Sequence, residues 1–176
     1  SVYSDPFAHQ PTGTSGVVRE SSIQRQFAQA LLENNLKNWN AVSEFFPPND
    51  PVSRNYYLKS QLHIARLRIE GDDFAVAESN LRAVIDSPYA DEVLRTIARI
   101  QLGWIKQRGL RQAVSGETNN EYYTKAIRDI STMTAEKQRL VRDALPAKVR
   151  PEWETIDYLN QSQPVSSNSD KANGGK

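Results

Sequence analysis

Ile64-Ala65-Arg66-Leu67 returns 33 residues later as Ile97-Ala98-Arg99-Ile100. Between the two copies lie Gly71-Asp72-Asp73-Phe74, then Ala77 and Leu81, closing at Ser87-Pro88. A self-similar period of this size, with a helix, a short turn and a second helix in each unit, is the sequence mark of a helical repeat.

Working outward, Asp50-Pro51 sets an N-cap acid before a proline at the first helical position. It predicts a helix over 51–70 with Leu58, Leu62, Ala65 and Leu67 or Ile69 on one face. Gly71 is expected to end it in the left-handed conformation. Asp72 or Asp73 then caps a helix over 73–86, whose stripe is Phe74, Ala77, Leu81, Val84 and Ile85. Ser87-Pro88 repeats the cap-plus-proline signal, and the next helix buries Val93, Ile97, Ile100 and Trp104 before ending near Gly109. Residues 107–119 break the pattern: a partner helix is due near Leu110, but Gly116 and a polar run interrupt it.

Helical spacing resumes at Tyr122-Tyr123 with Ala126, Ile127, Ile130 and Met133. Thr134 caps a further helix carrying Leu140, Val141 and Leu145 before Pro146, and Pro151 starts a short last segment with Trp153, Ile156 and Leu159. Upstream, Ser21-Ser22-Ile23-Gln24 fits a capping box with Ser21 as N-cap. Ile23, Phe27, Ala30 and Leu31 follow at helical spacing, and a second short helix carries Trp39, Val42, Phe45 and Phe46 up to Pro47-Pro48. No stretch alternates with period two, so the expected fold class is all-α.

Apolar residues make up 38% of the chain, and the shortfall from an ordinary globular composition sits at the ends. Residues 1–17 and 160–176 are rich in Ser, Pro, Gly, Asn and Gln and carry too few apolar groups to offset the entropy of ordering. The expected organisation is a disordered leader over 1–17, a helical repeat domain over 18–159 and a disordered tail over 160–176. With 22 basic and 21 acidic residues the net charge is +1, which argues against a polyanion binder. Cysteine is absent, which excludes disulfides, thiolate metal sites and a cysteine nucleophile. No apolar run reaches the ~18–20 residues of a membrane span. The first residue is Ser1 rather than Met, compatible with an anchor or signal upstream.

Residues 58–89 resemble a tetratricopeptide repeat. Ala65 stands where the paired helices come closest, Phe74, Ala77, Leu81 and Val84 give the aromatic, small, large and apolar order of the second helix, and Pro88 closes the unit. The first-helix Trp of that family is missing, and Arg68 stands near where a Tyr is usual. Residues 91–106 match a second first-helix whose partner the loop displaces. The resemblance implies antiparallel helix pairs stacked as a short right-handed solenoid, and a role in binding proteins. Trp39, Val42 and Phe46-Pro47 leading to Tyr56-Tyr57, together with the polar leader, are similar to bacterial envelope proteins that carry such a domain beyond a membrane anchor. This resemblance implies an extracytoplasmic location, with a cytoplasmic one as the alternative.

No motif for a cofactor, phosphate loop, hydrolase triad or metal is present. His9 falls in the leader, and His63 lacks an acidic or histidine partner at metal-binding spacing, so an ordinary surface or packing role explains each better than ligation or catalysis. At helical spacing the aromatics read as core, with Trp153 at the C-terminal edge as the expected exception. The basic residues are the polar signal. Lys59 and Arg66 share one stripe of their helix, and Arg95, Arg99 and Lys106 share a stripe with Glu92 on a later one. Guanidinium groups one repeat apart suit carboxylates. A solvated face laced with local pairs, Asp91–Arg95 and Glu78–Arg82, is the competing explanation.

The leading expectation is therefore a noncatalytic protein-interaction module that holds a peptide or a partner helix, acidic in character, on a groove lined by Lys59, Arg66, Arg95, Arg99 and Lys106. The alternative is an assembly subunit packing on copies of itself. Nucleic-acid binding through Lys137, Arg139, Arg142, Lys148 and Arg150 ranks last, because Glu136 and Asp143 interleave.

Overall fold

The computed structural model describes residues 16–109 and 120–162. The expectations for residues 1–15, the break over 110–119 and the tail beyond 162 lie outside the described residues. Among the described residues the fold is all-α, with helices α1 (Ile23–Glu33), α2 (Leu36–Phe45), α3 (Pro51–Glu70), α4 (Phe74–Ile85), α5 (Glu92–Trp104), α6 (Asn120–Thr132), α7 (Ala135–Ala144) and α8 (Arg150–Ser162). A π-helical turn, Ile105–Gly109, extends α5.

Local chemistry explains most boundaries. Asp50 accepts from the Ser53 amide at 2.9 Å and from the Ser53 hydroxyl at 2.8 Å. Those hydrogen bonds hold its carboxyl below the usual aspartate range. Asn34 closes α1 in the left-handed conformation (φ 48), and Asn35 at once caps α2 by accepting from the Asn38 amide. Thr134 caps α7 as expected, accepting from Lys137 N at 3.3 Å.

Three boundary expectations are corrected. Ser22, one residue after the expected Ser21, is the N-cap of α1 and accepts from Arg25 N at 3.2 Å. The glutamine that reaches back is not Gln24 but the fully buried Gln26, which accepts from Glu20 N at 2.7 Å and donates to Val18 O at 3.3 Å. Gly71 keeps a negative φ of −89, and Asp72 takes the left-handed position at φ 59. The chain reverses one residue later than the glycine rule implies, because Asp72 N and Asp73 N close onto the Ile69 and Arg68 carbonyls. Ser87-Pro88 does not start α5: the Ser87 hydroxyl accepts from Tyr89 N in a local turn, and Asp91 caps the helix by accepting from Leu94 N at 2.8 Å. A charged acceptor at Asp91 outcompetes the hydroxyl.

Packing centres on α3 and α5. α3 packs on α4 along most of its length, on α2 behind it, and touches α1 and α5. It feeds two cores, with Leu58, Leu62, Ala65 and Ile69 in the larger one and Ile64 with partly buried Leu67 in a smaller one against Ile23, Ala30, Trp39 and Val42. A helix apolar on both sides is a buried helix. Ala65 and Ala77, expected at the closest approach of two helices, are both fully buried, as is Ala98.

α5 packs on α6, α4 and α7. α6, the helix that follows residues 110–119, is thus the main partner of α5. The close approach is at Gly103, where an added Cβ would lie 2.7 Å from Tyr123 Cε1 and 3.3 Å from Tyr122 Cβ. Gly103→Ala should therefore push Tyr123 aside and cost ~1–3 kcal/mol, read as a lowered Tm. An unchanged Tm would mean that α6 yields freely. Trp153, expected to be exposed, is only 9% exposed. α8 lies on α6, and Tyr158, at 71% exposure, is left outside, as is Tyr89 before α5. No helix among the described residues is long and apolar enough to cross a membrane.

Candidate functional site

α3, α5 and α7 together line a recess of about 220 Å³. α3 contributes Lys59, Leu62, His63 and Arg66, α5 contributes Leu94 and Ile97, and α7 contributes Asp143 and Ala144. The spacing of 59, 62, 63 and 66 is i, i+3, i+4, i+7, one stripe of a helix, and this stripe forms one wall. Leu94 and Ile97 on α5 make an apolar floor. Leu140 precedes Asp143 and Ala144 by three and four residues, so it shares their stripe on α7, and it is 55% exposed. The recess thus has an apolar floor, an exposed leucine beside it, two cations on one rim and a carboxylate on the other.

The cationic rim is held in place from behind. Arg66 donates to Asn34 Oδ1 at 2.8 Å, and the same oxygen accepts from Trp39 Nε1 at 3.2 Å. Lys59 Nζ lies 5.8 Å from the Tyr56 ring centroid. Neither cation has an ion-pair partner among the described residues. Asp143 accepts from Arg142 Nε at 3.2 Å.

Between Lys59 and Arg66, His63 lies flat on Trp39, ring centroids 3.9 Å apart and planes within 3°, with Phe27 edge-on at 5.9 Å. Burial first, and then the neighbouring Arg66 and Lys59 charges, lower its pKa from 6.5 to about 4. At neutral pH it is an uncharged part of the wall, as its packing explanation implied.

The other three cations of the expected groove are turned elsewhere. Arg99 pairs with Asp129 on α6 at 2.7 Å, both largely shielded. Arg95 donates to the Ser87 and Ala90 carbonyls at 3.2 and 2.8 Å, not to Asp91. Lys106 pairs with Glu78 at 2.9 Å, and Glu78 also takes Arg82 at 2.9 Å, as expected for that pair. Burial opposes ionisation of Glu78, but the hydrogen bonds from Lys106 and Arg82 outweigh it and lower its pKa. Arg99, Arg95 and Lys106 are thus used in holding helices and turns together. The repeated arginine splits into one that faces the recess and one that ties α5 to α6.

Sequence reading missed α7's share of the recess, Asp143 and Ala144, with the exposed Leu140 on the same stripe beside them. Helical phase gives the stripe, but the interrupted repeat hides which helix that stripe meets. Among the described residues no group of three or more His, Asp or Glu side chains is placed to hold a metal ion. No family model, curated protein or solved structure matches the chain.

Proposed function

We propose that this protein is a noncatalytic interaction module whose recess on α3, α5 and α7 receives an amphipathic peptide or helix of a partner protein. In this reading α1/α2, α3/α4 and α5/α6 are successive antiparallel pairs of a short tetratricopeptide-like solenoid, with α7 set against α5 and α8 against α6. The odd-numbered helices form its inner surface. Supporting this, α1 touches α3, α3 touches α5 and α5 touches α7, while α2 and α4 each pack on the following odd helix.

The carrying observation is the pairing of an apolar floor with Lys59 and Arg66 on a single rim, cations that no carboxylate among the described residues neutralises. An apolar anchor of the partner enters over Leu94 and Ile97, its carboxylate meets Lys59 and Arg66, and a basic residue meets Asp143. Size favours a macromolecular partner. Pockets that enclose a small ligand run to about 300–1,000 Å³, whereas this recess of about 220 Å³ suits one or two side chains of a longer segment.

Display of a random peptide library against the full chain tests the reading. Selected sequences should share an apolar residue flanked by Asp or Glu. Reversal of both cations, Lys59→Glu with Arg66→Glu, should abolish their binding and leave the fold intact, because like charges then face each other. Binding at unchanged affinity would remove the recess from consideration.

A further inference from the structure

Among the described residues each end of the helix series presents a face that no other helix covers, and the two are complementary. On α1, Ile23, Gln26 and Ala30 are buried, and the opposite side carries Leu31 and Leu32, 52% and 80% exposed. Arg25, Ala28, Gln29 and Leu32 stand at i, i+3, i+4 and i+7, the four corners of a hole on a helix surface, and the small exposed Ala28 leaves that hole open. On α8, Glu152, Trp153 and Ile156 are buried, and the outer stripe is Glu154, Tyr158 and Gln161, with Tyr158 71% exposed. Tyr158 is a knob without a hole, four residues after an exposed carboxylate. Among the described residues neither Arg25 nor Glu154 has an ion-pair partner. Among the described helices α1 packs mainly on α2 and α3, and α8 mainly on α6, so the two faces belong to opposite ends of the series.

We infer that these faces bind each other between copies of this chain, head to tail. Tyr158 of one copy enters the Arg25/Ala28/Gln29/Leu32 hole of the next, and Glu154 pairs with Arg25. The charges fit. Arg25 gives the α1 face an exposed cation, and Glu154 and Asp157 give the α8 end carboxylates. A contact between two different faces leaves a free end on every open assembly, so copies add serially past two until the series closes into a ring or runs on as a filament. This surface is separate from the recess on α3, α5 and α7 and stands or falls independently of it.

Light scattering on the full chain, from micromolar to millimolar concentration, should give a mass that climbs past the dimer. Leu32→Glu spoils one end and Tyr158→Glu the other, so each variant alone should remain monomeric. Mixed together they should form a one-to-one pair, because each keeps the end the other lacks. Arg25→Glu should weaken the assembly, and adding Glu154→Arg in the same chain should restore it. The substituted residues are exposed, so the helical dichroism should stay that of the parent. If Leu32→Glu fails to fold, Ala28→Arg plugs the same hole from the surface. A parent chain that is monomeric throughout the range overturns the inference. So does a dimer that survives in either single variant, which would mean like-on-like pairing through one face.

Discussion

Trp39→Ala should cost ~3–5 kcal/mol, the usual range for removing a fully buried large aromatic, and lower Tm by roughly 10 °C in a domain of this size. Trp39 is 0% exposed and is the centre of the smaller core. It stacks on His63, meets Phe27 edge-on at 5.2 Å and donates its indole N–H to Asn34. Its loss opens a cavity where α1, α2 and α3 join and leaves the Asn34 oxygen with Arg66 alone. The effect should reach the recess, because Arg66 is positioned through that same oxygen. Trp39→Phe, which retains an aromatic face for His63, should lose much less. Thermal unfolding followed by circular dichroism decides. A Tm within a degree or two of the parent would mean that α1 and α2 contribute little to the folded state.

The second large effect is a pH dependence. His63 titrates near 4 in the folded chain and near 6.5 when unfolded, so between these values the unfolded chain binds the extra proton and stability rises with pH. The contribution is fully present above about 6.5 and is lost as pH falls toward 4. At most it amounts to about 3 kcal/mol, reduced by solvent at the open edge of the ring. The charges around the ring are Lys59 and Arg66 on its own helix and Asp143 across the recess on α7. Trp39 and Phe27 press on it from α2 and α1. Since Asp50 and other carboxylates also titrate toward the acid end, the informative quantity is the difference between the parent and His63→Phe, measured by urea unfolding across this window. That difference should shift against the parent as pH falls. A flat difference would show that the imidazole is protonated as easily inside the wall as in water.

Much of the fold was legible because it is written locally. Asp50-Pro51 and Thr134 fix helix ends through side chains three residues from the amides they cap, and helical phase alone buried Ala65, Ala77 and Leu81. The misreadings also have local causes. Ser21 and Ser22 differ by one residue, and only the folded turn shows which hydroxyl reaches the third amide of the helix. Gly71 and Asp72 compete for one left-handed position, and the hydrogen bonds of the reversal favour Asp72.

The site was less legible because it depends on contacts far apart in sequence. Arg66 and Arg99 look equivalent in the repeat, yet Arg99 meets Asp129 30 residues on, and Arg66 meets an amide oxygen 32 residues back. Nothing in a stripe of cations separates those that tie helices together from those that line a recess. Trp153 was misplaced for the same reason. Its position near the end of the chain suggested exposure, whereas α8 folds back onto α6 and covers it.

The groove itself is tested most directly by methyl NMR of the full chain titrated with a peptide selected against it. The methyl groups of Leu62, Leu94, Ile97, Leu140 and Ala144 should shift together with one affinity, while those of Leu31 and Leu32 at the α1 end stay in place. Shifts confined to Leu31, Leu32 or any other face, with Leu94 and Ile97 silent, would contradict the assignment of the α3–α5–α7 recess as the binding surface.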